Sequence, residues 1–419
     1  MGFFIVWYDF CMRWEVIYEQ LKNQIRVGVI PLQESEAVMT MILVKTGSRN
    51  EIDEKLGISH VLEHMVFKGT PTYPTPQALA AAVDSMGAEF NAFTSKEYTG
   101  YYIKAAAAYQ SKALEILTEM MLSPLLKEDD LEREKGVIIQ EIKMYQDQPR
   151  EIAMEEFENL IFQGSNLGRL IIGNPKTVSG ITVQDLVNYK NQWYKGANIL
   201  ILVAGKIKAE KVIDQVRSLW EKTKKGGLSK FVDKGSFGKE KEKIIDKKTQ
   251  QTHFVVGVPG LSINDPRRYV EAVLRVALGG NMSSRLFVEV REKRGLAYYV
   301  GAVAEHYYDV GFIGARAGVK KDKFDEALKV VKDQMQQISV NLSLEEVERA
   351  KKYLVGKIAL SLEGPSGVVS WVSKRMVLGL PVEKPKEVIE KIESVNQDQV
   401  GSLAKELFET NNMYLVVVQ

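Results

Sequence analysis

From Ala37 to Val44 the chain is almost wholly apolar, and it then passes through Thr46-Gly47-Ser48 into a stretch with helical spacing. Further on, Gly87 to Phe93 leads to a turn at Lys96-Glu97 and a second strand-like run from Tyr98 to Ala105. An amphipathic helix follows, with Ala113, Leu114, Ile116, Leu117 and Met121 on one face. The same order returns in the second half. Thr252–Val258 reads as a strand and Pro266–Leu278 as a helix. Gly295–Ala302 pairs with Val310–Ala315 across a turn, and a helix carries Phe324, Ala327, Leu328, Val331 and Met335. Strands interleaved with helices of period 3.6 predict an α+β fold. It has two similar α/β sandwich domains, each a mostly antiparallel sheet packed against helices, and the shared order suggests an internal duplication.

A chain of 419 residues exceeds one ordinary core, so two domains are expected. Residues 221–248 are crowded with lysine and glycine and read as a solvated linker. The expected division is therefore an N-terminal extension over residues 1–16, a first domain over 17–220, the linker over 221–248, and a second domain over 249–419. The apolar run Phe3–Tyr8 has no basic residues before it, and Asp9 follows it at once, which makes a poor secretory signal. The first 20 residues are too acidic for a mitochondrial presequence, and no later stretch reaches the roughly 20 apolar residues of a membrane span. Lysine plus arginine (56) nearly balances aspartate plus glutamate (54), so neither nucleic acid nor membrane is expected as a partner. The single cysteine, Cys11, fits a reducing compartment and excludes a disulfide framework or a cysteine-rich metal site. The expected location is cytoplasmic.

Two of only four histidines fall in His60-Val61-Leu62-Glu63-His64. On a helix His60, Glu63 and His64 share a face, and imidazoles at i and i+4 can grip one ion, for which zinc is well suited. Leu56, Ile58, Val61, Leu62, Met65, Val66 and Phe67 make this helix apolar nearly all round. Burying two imidazoles and a carboxylate without partners costs several kcal/mol, and a metal removes that cost. H-x-x-E-H is moreover a zinc-peptidase signature. A catalytic zinc needs a third protein ligand. Glu134 and Glu141 are two turns apart on a helix whose stripe includes Leu131, Ile138, Ile142 and Tyr145. The helix alone leaves open whether Glu141 is a ligand or part of a solvated acidic face.

The motif, its flanks Gly57-Ile58-Ser59 and Phe67-Lys68-Gly69-Thr70, the Glu134…Glu141 pair, Asn91-Ala92-Phe93-Thr94-Ser95 and the Arg291–Tyr298 segment together resemble the inverzincins, the pitrilysin, insulysin and mitochondrial processing peptidase family. The resemblance spans nearly the whole chain. It implies a zinc metalloendopeptidase with one Zn2+ per chain, held by His60, His64 and Glu141. Glu63 would activate the zinc-bound water, and Glu134 would support the site from behind the ligands. Arg291 and Tyr298 would reach across to hold substrate near the developing oxyanion. Asn91, Ala92 and Phe93 would form an edge strand to which an extended peptide adds. Substrates would be unfolded peptides or presequence-like segments. Since two such domains face another two in this family, a homodimer is the simplest completion. The alternatives are an obligate heterodimer and a non-catalytic subunit of a processing peptidase. The segment Ser165-Asn166-Leu167-Gly168 departs from the family's common pattern, which often has a histidine there. His253 and His306 are expected to be structural, and Gly279–Arg285 to be a helix-to-helix turn.

Overall fold

The computed structural model describes residues 14–409 and 412–419. The apolar run at 3–8, Cys11 and most of the expected N-terminal extension lie outside the described residues. Trp14, at the end of that extension, is buried.

Eleven strands make two sheets among the described residues. The first contains β1 (Ile17–Gln20), β2 (Arg26–Pro31), β3 (Ala37–Val44), β4 (Glu89–Thr94), β5 (Thr99–Ala106) and β6 (Ile199–Gly205), in the order β1-β2-β6-β3-β5-β4. The second contains β7 (Glu242–Ile245), β8 (Gln251–Gly260), β9 (Ala297–His306), β10 (Gly311–Lys320) and β11 (Tyr414–Val418), in the order β7-β11-β8-β10-β9. Apart from β1 the two orders superimpose. In each sheet a late strand inserts between two early ones, parallel to one and antiparallel to the other. The matched connectivity bears out the α+β reading and the duplication.

β3 is buried on both faces, which is why Ala37–Val44 reads as a continuous apolar run rather than an alternating one. Helices Gln110–Leu122 and Pro365–Val377 both pack against it. The linear division of the chain needs adjusting here. Among the described residues, the first compact unit comprises 14–142, 169–232 and 359–383, and the second comprises 143–168, 233–358, 384–409 and 412–419. Each half of the sequence thus contributes a helix to the other half's sheet. Pro149–Ile161 packs on β8 and β11, where Phe157 sits 5.3 Å from Phe312 in a core with Phe162 and Tyr307. Pro365–Val377 packs on β3 and β6, and its last carbonyls, of Met376 and Val377, accept from the buried Arg26 guanidinium.

The lysine-rich stretch read as a solvated linker is anchored along its length. Ser229 bonds Asn198, Phe231 lies under Lys45 and Arg49, and residues 242–245 form β7. No helix among the described residues is long and apolar enough to cross a membrane.

Candidate metal centre

The helix Ile58–Met65 starts from Gly57, whose φ of +92° a side chain rarely adopts, and whose Cβ would lie 2.7 Å from the Ile172 carbonyl oxygen. Its first amides are taken up by a carboxylate from upstream. Glu51 Oε2 accepts from Gly57 N at 2.7 Å and Oε1 from Ser59 N at 2.9 Å. An anion at a helix N-terminus satisfies orphan amides and complements the helix dipole. Burial nevertheless pushes the Glu51 carboxyl up to about 7, against the pull of these donors and the Arg169 charge. Ser59 Oγ is 2.7 Å from Tyr189 Oη, which is 2.7 Å from Thr46 Oγ1. This buried network holds the first turn of the helix at Ser59, one residue before His60.

The helix Glu128–Gln146 buries Leu131, Ile138 and Ile142 as expected, together with Glu134. Its acidic stripe comes alongside the two imidazoles. Glu141 Oε2 lies 3.6 Å from His64 Nε2 and 3.9 Å from His60 Nε2, and one ligand atom from each of the three residues falls within 4.8 Å of the others. The imidazole rings sit edge to face, 4.6 Å apart. Ligands about 2.0–2.1 Å from a tetrahedral zinc stand roughly 3.3 Å from one another, so the Glu141–His64 edge is about 0.3 Å and the Glu141–His60 edge about 0.6 Å longer than in that shell.

The protonation pattern suits a metal as well. His64 Nδ1 is 3.0 Å from Glu134 Oε2, and in the neutral imidazole a proton donated there sits on Nδ1 and leaves Nε2, on the side of Glu141, able to ligate. His60 Nδ1 is buried with no hydrogen-bond partner among the described residues. Burial, and then the neighbouring His64, hold the His60 imidazole down at about 3, so it is neutral at physiological pH, the form that ligates metal. Among the described residues this is the one group of three or more histidine, cysteine or acidic side chains close enough to share an ion. The residues fit zinc.

Glu63 shares the face of His60 and His64 and accepts a hydrogen bond from the Thr94 hydroxyl, at the end of β4. Burial raises its carboxyl above the usual range. The Thr94 bond and His64 oppose that rise, and Glu141 adds to it. A base with a raised pKa is better matched to proton transfer near neutrality.

Among the described residues, β4 is an edge strand of the first sheet. Asn91 points outward and is exposed, while Ala92 and Phe93 are half-buried, with the Phe93 ring filling the space over Gly100. Arg291 and Tyr298 belong to the second unit. Arg291 lies in a π-helical turn, Phe287–Glu292, with its guanidinium 4.9 Å above the Phe287 ring. Tyr298 is the bulged residue of β9, skipped where the pairing passes from Tyr299–Gly318 to Ala297–Val319, and it is 77% exposed. π-Turns and β-bulges both re-aim side chains and are frequent at functional sites. His253 bonds Tyr299 and His306 bonds the Leu261 carbonyl, so each of these two histidines is held by its own unit. Gly279–Arg285 is the expected turn between helices. Three residues of the centre escaped the sequence reading: Glu51, Thr94 and Lys68, whose Nζ is 2.6 Å from Glu134 Oε1. Of these, Lys68 fell in a flank of the motif and Thr94 in the Asn91–Ser95 segment, both already singled out by the resemblance.

Residues 29–175 match the insulinase domain of peptidase family M16, and residues 180–354 match the M16 inactive domain. The chain is 32% identical over 397 residues to an uncharacterized zinc protease of Streptomyces coelicolor, covering 92% of this chain and 86% of that one. The chain belongs to peptidase family M16. An uncharacterized zinc protease of Bacillus subtilis is 33% identical over 92% of this chain and 94% of its own. The mitochondrial-processing peptidase subunit beta of Dictyostelium discoideum is 28% identical, with 92% and 85% covered. A protease of Helicobacter pylori has the same fold, with a TM-score of 0.88 at 22% identity over 97% of this chain and 99% of that one. These M16 relatives support a zinc-dependent peptidase function in general.

Proposed function

We propose that this chain is a zinc-dependent endopeptidase that hydrolyses unfolded peptides or presequence-like segments. The observation that carries the proposal is the convergence of His60, His64 and Glu141 from two helices, with Glu63 on the same helical face as the imidazoles. His60, His64 and Glu141 would hold one zinc ion per chain. When bound, the ion would supply Lewis acidity, making a water more acidic and polarising a peptide carbonyl. Glu63, tethered by Thr94, takes the proton of the attacking water and passes it to the leaving amine. Glu134 holds the His64 tautomer. An extended substrate adds to the free edge of β4 at Asn91, Ala92 and Phe93, where backbone pairing tolerates many sequences. Arg291 and Tyr298 hold the substrate near the charge that develops on the carbonyl oxygen.

A homodimer is the proposed assembly. The similarity to a protein named as a subunit favours one second reading, in which this chain acts only beside a different partner chain. Digestion of an unstructured peptide by the purified chain, mapped by mass spectrometry, separates the two. The first reading expects cleavage by this chain alone, stopped by a chelator. Glu63→Gln should keep zinc while cleavage falls by about 10^2–10^4-fold. Near-full activity in Glu63→Gln overturns the assignment of the base.

A further inference from the structure

Lys68 follows the helix Ile58–Met65 in a tight turn, with its amide donating to the Met65 carbonyl at 3.1 Å. Although lysines are ordinarily solvent-facing, its side chain is only 22% exposed and ends on a carboxylate that is 10% exposed. That carboxylate, Glu134, is used at both oxygens: Oε1 by Lys68 Nζ at 2.6 Å, and Oε2 by His64 Nδ1 at 3.0 Å. We propose that Lys68 is a positioning residue of the metal centre, acting on His64 through Glu134.

The argument is geometric, and it rests on the functional reading given above. An ammonium held against one oxygen fixes the plane of the carboxylate, and with it the direction in which the other oxygen accepts. The accepting oxygen selects the His64 tautomer whose free nitrogen faces Glu141. Without Lys68, Glu134 keeps a half-compensated charge in a confined site and one oxygen free to rotate, and the Nδ1 bond is no longer enforced. Partners of this kind behind metal ligands change metal affinity by about 10–100-fold when they are removed. His64 and Glu134 lie on two helices of the first unit and Lys68 in the turn that ends one of them, so the relay is contained in that unit.

The test is zinc affinity, measured on the full chain by competition with a chromophoric chelator. The variants are Lys68→Met, Glu134→Gln and the double variant, with thermal melts of the metal-free proteins alongside. Lys68→Met should bind zinc about 10-fold or more weakly. In the Glu134→Gln background the same substitution should add less than about 2-fold, because contacts in one relay are not additive. If Lys68→Met does not fold, Lys68→Gln, which removes the charge and keeps an amide donor, carries the same comparison. Wild-type affinity in the folded lysine variant, or losses that multiply in the double variant, overturns the relay. A wild-type chain that binds no zinc overturns the functional reading and this inference together. Zinc binding that needs His60 and His64 but is indifferent to residue 68 overturns this inference alone.

Discussion

Apart from β1 the two sheets share one strand order, yet the helices that follow their first central strands carry very different chemistry. After β3, the helix Ile58–Met65 presents His60, Glu63 and His64, and the facing helix supplies Glu141. After β8, the helix Arg268–Gly279 buries Glu271 and carries Arg275 one turn later. Glu271 accepts from the Leu261 amide at 2.9 Å and lies 3.4 Å from His306 Nε2, so its neighbours come from its own unit. In the first unit the two imidazole nitrogens facing Glu141 stand 3.6 and 3.9 Å from it, and the three side chains could hold one metal ion. One duplicated framework therefore tolerates partly or fully buried ionisable groups in both copies, and in the first copy three of them converge closely enough to share an ion.

Removing a ligand is the strongest way to break that contrast. His64→Ala deletes the nitrogen 3.6 Å from Glu141 and should lower peptide cleavage by about 10^3-fold or more, several kcal/mol of barrier. Peptide turnover and bound zinc, measured on the same sample, check it. Loss of activity with full zinc occupancy would place the metal elsewhere.

The next largest effect concerns stability. Arg49 and Glu97 form an ion pair at 2.6 Å in the first unit, with side chains 0% and 2% exposed, and Arg49 also stacks on Phe231. Arg49→Met leaves Glu97 buried without that partner, and should cost roughly 3–5 kcal/mol in denaturant unfolding. The pair joins the segment before the metal helix to the turn after β4, so the same variant should also weaken zinc binding.

The buried carboxyl of the second unit sharpens the comparison through pH. Burial pushes Glu271 up to about 8, whereas in the unfolded chain it titrates near the ordinary carboxylate value. Between those two values the folded state holds a proton that the unfolded state has released, so stability falls as pH rises. The contribution is complete below about 4.3 and is lost as pH passes through about 8. Glu271→Gln should flatten that slope, by a few kcal/mol at most, in unfolding curves compared at pH 5 and pH 8. A slope unchanged in the variant would mean that the carboxyl is ionised and paired with His306 throughout.

How far the sequence went follows from what each feature depends on. His60, Glu63 and His64 were legible because three ligating side chains within one helical turn are a local pattern. Glu141 lies 77 positions past His64, and the helix alone left its role open until the fold brought it within 3.6 Å. Glu51, which caps the metal helix from a preceding loop, carries no local signal at all. The repeat of β3, β4 and β5 in β8, β9 and β10 was legible because apolar runs mark strands wherever they pack, whereas β1, β2, β6, β7 and β11, which complete the sheets, were not read. The exchanged helices do not show, because the Ala153, Phe157, Leu160 and Ile161 face of Pro149–Ile161 would suit either sheet. Period and composition say that a face must be covered, not which sheet covers it.

The smallest effect is the counterpart of the Arg49 pair on the surface of the second unit. Arg267 reaches Glu406 at 2.8 Å and Asp265 at 3.0 Å, and these hydrogen bonds raise its pKa further above the ordinary arginine value. Both members of the Glu406 pair are about half exposed, so water screens the attraction and side-chain entropy opposes it. Arg267→Ala should therefore cost under about 1 kcal/mol, and less still at high salt. Chemical denaturation at two ionic strengths checks this. A loss approaching that of Arg49→Met would mean that geometry rather than burial sets the worth of ion pairs in this protein, and the contrast between the two units would then need a different physical basis.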